Sequence, residues 1–218
     1  MSHAAVPQQL MSQPHFMHRI HSPRVPVRMR AAVQVYIALK WFRHELSREA
    51  SPPIAQVVAT GVTPLFVQFM ESHAQLRIRM EAAWCLTNIA SGDSEMIEAV
   101  EDAGAIPAAI QIVREAPDCE QRDSTETVED LRDQCVWLLS NLAGEGPHIR
   151  DTILALDGAE ALRRWMLELS TASFPRQRVF LDNGAWACSN MVRGEVSAYT
   201  EEAARANVPT NRRRECVQ

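Results

Sequence analysis

Three tryptophans in this chain each precede an asparagine by four positions: Trp84 and Asn88, Trp137 and Asn141, Trp186 and Asn190. On an α-helix, residues four apart share a face, about one turn from each other. One turn ahead of each tryptophan, on the same face, stands Glu81, Gln134 or Asn183. An indole offers a π-face that attracts cations and a flat apolar wall for the stem of a lysine or arginine. An asparagine amide carries both a donor and an acceptor, which suits the unpaired backbone groups of an extended peptide. A row of such pairs is therefore suited to grip basic, extended peptides. Each cation–π contact contributes roughly 0.5–2 kcal/mol, so several slots must act together. Acidic residues at the helix ends, such as Asp93 and Glu145, supply carboxylates for an ammonium. A lone tryptophan on a helix is more often core than platform. Packing gives no reason to repeat an amide beside it in three places, because a buried unpaired amide costs ~1–3 kcal/mol.

The elements that carry this ladder recur along the chain, and long repeats are the first pattern to seek. VVATGVTPLFVQFM from Val57, VEDAGAIPAAIQIV from Val100 and LALDGAEALRRWML from Leu154 share one outline. Each sets a glycine, Gly61, Gly104 or Gly158, between two apolar-periodic stretches, where a left-handed residue ends one helix at little cost. Pro64 and Pro107 fall in the first turn of the following helix, where a missing N–H does no harm. A second outline follows each time: EAAWCLTNIASG from Glu81, QCVWLLSNLAG from Gln134, NGAWACSNMVRG from Asn183. The glycine-to-tryptophan gaps are 23, 33 and 28 residues, whereas the tryptophan-to-next-glycine gaps are 20 and 21. The repeat thus reads as a short helix, a medium helix, a variable loop and a long helix. APDCEQRDSTETVED from Ala116 is the longest such loop and reads as a polar surface insertion; FPRQR, from Phe174 to Arg178, takes the same place in the last full repeat.

Upstream, Met29 to Arg48 reads as one amphipathic helix with Val33, Ile37, Trp41 and Leu46 inward, broken by Ser51-Pro52-Pro53. It resembles the last helix of an incomplete first repeat. At the other end, Ala206-Asn207-Val208-Pro209 resembles Gly104-Ala105-Ile106-Pro107, so a further repeat begins there. The expected domains are a disordered basic tail over 1–29, a repeat domain over 30–206, and a truncated next repeat or frayed tail over 207–218.

Bulk composition narrows the function class. Hydrophobic residues make up 46% of the 218, enough for a sizeable core. Residues 1–48 hold seven basic and one acidic side chain, net +6; residues 49–170 hold eight and 21, net −13; residues 171–218 hold seven and five, net +2. An acidic middle does not suit nucleic acid, which needs a basic working face, but it does suit a cationic ligand. No apolar run approaches the ~20 residues of a membrane span. Cys85, Cys119, Cys135, Cys188 and Cys216 form no C-x-x-C pair, so neither a zinc site nor a disulfide framework is expected. His15, His18 and His21 have three-residue spacing, but Pro14 and Pro23 flank them, so a tail is favoured over a metal site. Arg212-Arg213-Arg214 reads as an exposed charged terminus. No nucleophile elbow, P-loop, dinucleotide fingerprint or H-E-x-x-H appears, so neither an enzyme nor a cofactor is indicated.

These residues resemble the armadillo repeats of importin alpha (karyopherin alpha), the adaptor for nuclear localisation signals. The likeness runs from about Arg30 to Gly194 and is strongest in LSREASPPI from Leu46, EAAWCLTNIASG, GAIP, QCVWLLSNLAG and SNMVRG from Ser189. It implies an all-α fold, an armadillo right-handed superhelix of about three repeats with partial flanking repeats. It further implies a signal-binding groove built by Trp84, Asn88, Trp137, Asn141, Trp186 and Asn190, assisted by Gln134, Asn183 and Arg193. Gly92 would offer its carbonyl to the deepest lysine. Glu145 stands where the family usually has aspartate, and Ile97 where it has a threonine near the same pocket. The family implies basic nuclear localisation signals of cargo proteins as partners, importin beta as a second partner, and residence in cytoplasm and nucleus. Residues 1–29 contain only Arg19, Arg24 and Arg28, a departure from the family's long Arg/Lys-rich importin-beta-binding segment. The alternatives are an armadillo-repeat interaction scaffold or a truncated fragment without transport activity.

Overall fold

The computed structural model describes residues 27–72, 75–115, 127–171 and 176–193. Ten helices and no strand occur among them. They are α1 (Val27–Leu46), α2 (Ile54–Ala59), α3 (Thr63–Ser72), α4 (Leu76–Ile89) and α5 (Ser94–Asp102), followed by α6 (Ala105–Arg114), α7 (Val128–Glu145), α8 (Pro147–Ala155), α9 (Gly158–Thr171) and α10 (Gln177–Met191). After α1 the order short, medium, long occurs three times, as the sequence pattern predicts. The long helices α1, α4, α7 and α10 pack in series, and the medium helices α3, α6 and α9 form a second row beside them. The fold is an all-α solenoid. Its core fills the space between the rows, with Phe66, Leu86, Ile89, Ile106, Ile110, Leu131, Leu139 and Trp165 almost wholly buried.

The short-to-medium corners show why each repeat turns where it does. Gly61 (φ 73°) and Gly104 (φ 83°) take the left-handed conformation, as expected. The third corner differs. Asp157 takes it instead, at φ 58°, and Gly158 is already the first residue of α9. Aspartate tolerates this region because its short polar side chain bonds locally. Gly158 is required for a separate reason: a Cβ there would stand 2.5 Å from Ile153 Cγ2 and 2.8 Å from the Ile153 carbonyl oxygen. Pro64 and Pro107 do lie in the first turns of α3 and α6, and Pro147 opens α8.

Helix α1 corrects the expected inward face. Leu39 and Leu46 are buried, with Ala32, Val35, Tyr36 and Phe42 packed against the core. Val33, Ile37 and Trp41 are only half-buried, so the seam runs through 35, 39, 42 and 46. The helix also begins at Val27, three residues ahead of the domain boundary expected at residue 30. The connector lies earlier than the expected FPRQR, because Arg176 is the N-cap of α10 and Gln177 opens it, so Gln177 and Arg178 are helical. The insertion core at 116–126, the tail before Val27 and the final partial repeat lie outside the described residues.

A buried arginine fastens the middle repeat. Arg132, 1% exposed, donates from Nε (3.0 Å) and Nη2 (2.7 Å) to the Val113 carbonyl, an orphan acceptor at the C-terminus of α6. It also reaches Glu129 on its own helix (2.9 Å) and Glu168 on α9 (2.8 Å). Glu129 in turn accepts from buried Trp165 Nε1 at 2.8 Å. One side chain thus ties α6, α7 and α9 together, and α7 carries the central rung of the ladder.

Candidate peptide-binding groove

Trp84, Trp137 and Trp186 lie on α4, α7 and α10, the three successive long helices, and are 39%, 42% and 42% exposed. Their neighbours Leu86, Leu138 and Ala187 are buried, so the indoles are selectively left on the surface. Asn88 and Asn141 are half-buried beside them, while Asn190 is 4% exposed.

The asparagine amides do inter-repeat work. Asn141 Nδ2 donates to the Thr87 carbonyl (3.2 Å), and Asn190 Nδ2 donates to the Ser140 carbonyl (2.9 Å) and hydroxyl (3.0 Å). Thr87 and Ser140 are the residues immediately before the preceding Asn. Helix α4 ends two residues after Thr87, so that carbonyl has no partner within its own helix until Asn141 supplies one. Gln134, buried, donates to the Thr87 hydroxyl (2.8 Å), which itself donates to the Ala83 carbonyl (2.9 Å). Asn88 donates to the Ser47 hydroxyl (2.9 Å). A carbonyl only accepts, so these contacts fix which way the Asn141 and Asn190 amides face. The Asn190 Oδ1 is buried and has no hydrogen-bond partner in the protein.

Two slots of the ladder have contents of their own. The Arg43 guanidinium lies over the Trp84 ring, 4.6 Å from its centroid, while its Nε sits 2.5 Å from Glu81. That is the combination of π-face and carboxylate expected to hold a ligand cation, and here α1 supplies the cation. Trp137 and Trp186 meet edge to face, with centroids 6.5 Å apart and an interplanar angle of 86°. An aliphatic stem between two parallel rings needs ~3.5–4 Å on each side. Admitting one there requires one of these rings to turn.

Around the ladder, Asn183 donates to both oxygens of Asp133, at 2.9 and 3.1 Å. Asp133 is one turn before Trp137 and 7% exposed. Burial pushes its carboxyl up to about 6, against the lowering pull of the Asn183 bond and the nearby Arg176, with Asp130 adding to the rise. Glu145 ends α7 and accepts from the Ser94 hydroxyl at the start of α5, where the helix dipole favours an anion. Asp93 caps that helix by accepting from Met96 N at 3.2 Å. Gly92 packs so closely that a Cβ would stand 3.0 Å from Met96 Cβ. Ile97 is 4% exposed, part of the core rather than of the surface. Arg193 is exposed, and its carbonyl accepts from buried Arg150, which also holds Asp151 at 2.8 Å.

Sequence reasoning missed four members of this face. Thr87 and Ser140 were visible as the hydroxyl residue preceding each ladder asparagine. Asp133 stands at i−4 from Trp137, beside the residue at i−3 that drew notice. Arg43 has no repeat signature, and only the packing of α1 on α4 reveals it. Two of the cysteines are inert by position: Cys85 and Cys135 are buried, and burial pushes both thiols up, that of Cys135 to about 12.

Comparison with known proteins fits this geometry. The armadillo/beta-catenin-like repeat model matches residues 50–91, the stretch that spans α2 to α4 and holds Trp84 and Asn88. Importin subunit alpha-1b of Oryza sativa subsp. japonica is 34% identical over 199 residues, which is 91% of this chain and 33% of that protein. Importin subunit alpha-2 of Arabidopsis thaliana is 38% identical over 154 residues, 71% of this chain and 26% of that protein. The chain is similar to the importin alpha subunits over most of its own length and contains an armadillo repeat. It spans about a third of the length of those relatives. A designed armadillo repeat protein solved with the peptide (KR)4 superposes with a TM-score of 0.60 at 19% identity, over 90% of this chain and 70% of that one; this supports the fold alone. The armadillo match therefore attaches to one complete repeat, and the relationship to importin alpha extends across all three rungs of the ladder.

Proposed function

We propose that this importin alpha relative binds basic nuclear localisation signals of cargo proteins along the face made by Trp84, Asn88, Trp137, Asn141, Trp186 and Asn190. Gln134, Asn183, Glu145, Gly92 and Arg193 border it. The observation that carries the proposal is the row of three indoles, each about 40% exposed at the equivalent position of successive long helices. Arg43 supports it from within the chain: its guanidinium, held between Trp84 and Glu81, occupies a slot of the kind proposed for a ligand cation. The net charge of −13 over residues 49–170 favours encounter with a cationic peptide. Asn141 spends one N–H on Thr87 and keeps the other, with its amide oxygen, for a ligand, whereas Asn190 has its donors engaged by Ser140 and its oxygen buried, so it contributes through the spacing it fixes.

By its relatives the role is adaptor-like, in nuclear import, with residence in cytoplasm and nucleus. Importin beta is a partner only if segments beyond the groove provide for it. The test is a fluorescence titration of a Lys/Arg-rich peptide at low salt. Trp137→Ala combined with Asn141→Ala should weaken binding about tenfold or more, the loss of one or two cation–π and amide contacts. Unchanged affinity in that double variant would sink the proposal. A second reading, an armadillo interaction scaffold with other partners, draws on Arg43 covering Trp84 and on the edge-to-face closure of Trp137 on Trp186. It predicts no preference for a Lys/Arg peptide over a neutral one of equal length.

A further inference from the structure

The charges beside the ladder change from one long helix to the next. Two turns before each ladder tryptophan, on the same side of its helix, stand Arg77, Asp130 and Val179. Asp130 is matched within the chain, because Arg176 at the start of α10 pairs with it. Arg77 is not matched. It is exposed, and its Nε and Nη2 donate to the neutral amide oxygen of Gln75, at 3.3 and 3.2 Å. Arg79 on the same helix has Glu115, and Arg43 on α1 has Glu81, but no carboxylate stands within 4 Å of Arg77 among the described residues.

Helix α1 brings a second cation to the same place. The Arg77 guanidinium lies 5.1 Å from the centroid of the Tyr36 ring, and the Lys40 ammonium lies 5.9 Å from it. Lys40 is exposed and likewise has no carboxylate within 4 Å among the described residues. Two like charges gathered on one ring repel, and a shared anion relieves that repulsion. The phenolic O–H of Tyr36 adds a donor. Tyr36, Lys40, Arg43 and Ser47 follow one another at helical spacing, and the last two meet Trp84 and Asn88, so the cluster borders the ladder. Along α4 it stands seven residues before Trp84, about 10 Å away. An extended chain covers that distance in about three residues. A ligand cation at this end would meet Lys40, Arg77 and Arg43, and the neighbouring Glu81 is already paired with Arg43. Two exposed cations are too few for nucleic acid, which takes a row of phosphate contacts.

We propose that Tyr36, Lys40 and Arg77 form an anion-binding lip at the α1 edge of the ladder, and that the peptide this chain prefers carries acidic residues about three positions beyond its basic run. The inference rests on the peptide-groove reading and refines its ligand, from a basic peptide to a basic peptide with an acidic flank on one side. Opposite charges at the two ends of the ligand also set which way it lies across the long helices. The lip is exposed, so its effect is modest and screened by salt.

Fluorescence titration of the full chain at low salt tests it with three peptides: a Lys/Arg run with neutral flanks, the same run with glutamates on its N-terminal side, and the same run with glutamates on its C-terminal side. One of the two acidic peptides should bind ~3–10-fold more tightly than the neutral one, although its net positive charge is lower. The gain should fade at about 0.5 M salt. Lys40→Gln with Arg77→Gln should abolish it, and Lys40→Glu with Arg77→Glu should make the same acidic peptide the weaker ligand. Both residues are exposed, so neither double variant strains the fold. Acidic peptides that bind no more tightly than the neutral one, or a gain that survives the Gln variant, would overturn the lip and leave the groove reading standing. Failure of all three peptides to bind the unaltered chain would overturn both.

Discussion

Replacing Asp133 with asparagine should stabilise the fold above pH 6 and remove a sloping segment from its stability profile. Asp133 is 7% exposed, and burial is the main reason its carboxyl titrates at about 6 rather than 3.8. Between those two values the folded chain holds a proton that the unfolded chain has released. Stability therefore falls as pH rises through this window, and the loss is complete above about 6. One pKa unit corresponds to 1.36 kcal/mol, so the full loss is about 3 kcal/mol. Asparagine keeps the shape and an oxygen to accept from Asn183, but its own N–H₂ needs an acceptor, which costs ~1 kcal/mol where none is found. The expected net gain at pH 8 is about 1–2 kcal/mol, or roughly 2–8 °C in Tm for a chain of this size.

The assay is a set of thermal or urea melts of both chains from pH 3.5 to 8, read as the difference between them. Other carboxylates titrate in both chains and cancel. The variant should be the less stable chain near pH 3.5 and the more stable one at pH 8, with the difference changing sign in between. Parallel profiles across the range would refute the reasoning, because they would mean that Asp133 does not titrate in that window. A variant that loses stability at pH 8 would show that the Asn183 bond, not desolvation, dominates the site.

Further perturbations probe other parts of the structure. Arg132→Met should cost ~3–5 kcal/mol in chemical denaturation, because it removes both donors from the Val113 carbonyl and the buried charge partner of Glu129; a loss under ~1 kcal/mol would disprove the staple. Gly158→Ala should cost ~1–3 kcal/mol by overlap with Ile153, and Gly61→Ala ~1–2 kcal/mol from its φ of 73° alone, with no atom within 4 Å; destabilisation should arise from packing in the first and backbone in the second, so Gly61→Asn should recover most of the loss at Gly61 while Gly158→Asn recovers none. If the groove binds as proposed, Arg43→Gln should raise the affinity for a Lys/Arg peptide ~2–5-fold by uncovering Trp84, measured in the same fluorescence titration; weaker binding would mean that Arg43 does not compete.

Most of the solenoid was legible because its signals are local and repeated. Glycine at a corner, proline in a first turn and tryptophan at a fixed distance each reflect a backbone or packing requirement that recurs with the repeat. What escaped was specified across repeats or singly. The third corner used Asp157 in place of glycine because either residue tolerates the left-handed region, and Gly158 was needed instead for its proximity to Ile153. The inward face of α1 was misjudged because the helix carries apolar residues on most of its circumference. Its core seam through Leu39 and Leu46 is set by α4, not by its own periodicity. For the candidate site, the exposed indoles could be anticipated from their spacing. The hydrogen bonds of the asparagines could not, since each one runs to a residue about fifty positions earlier.

Those long-range bonds bear on how such a face binds. An extended peptide gains little from any single slot, so its affinity depends on meeting several slots at the correct spacing without first ordering them. In this chain Asn141 ties α7 to the end of α4, and Asn190 ties α10 to α7, each from within the ladder itself. The groups that set the distance between successive indoles are thus the immediate neighbours of those indoles. An Asn141→Ala change would then act in two ways at once, by removing an amide oxygen from the face and by loosening the register between Trp84 and Trp137. The two effects separate by measurement. Loss of a ligand contact raises Kd without altering the free chain, whereas loss of register also speeds hydrogen exchange at the end of α4, where the Thr87 carbonyl loses its donor. Finding both changes together would identify the asparagine row as the element that couples the stability of the solenoid to the spacing of its binding face.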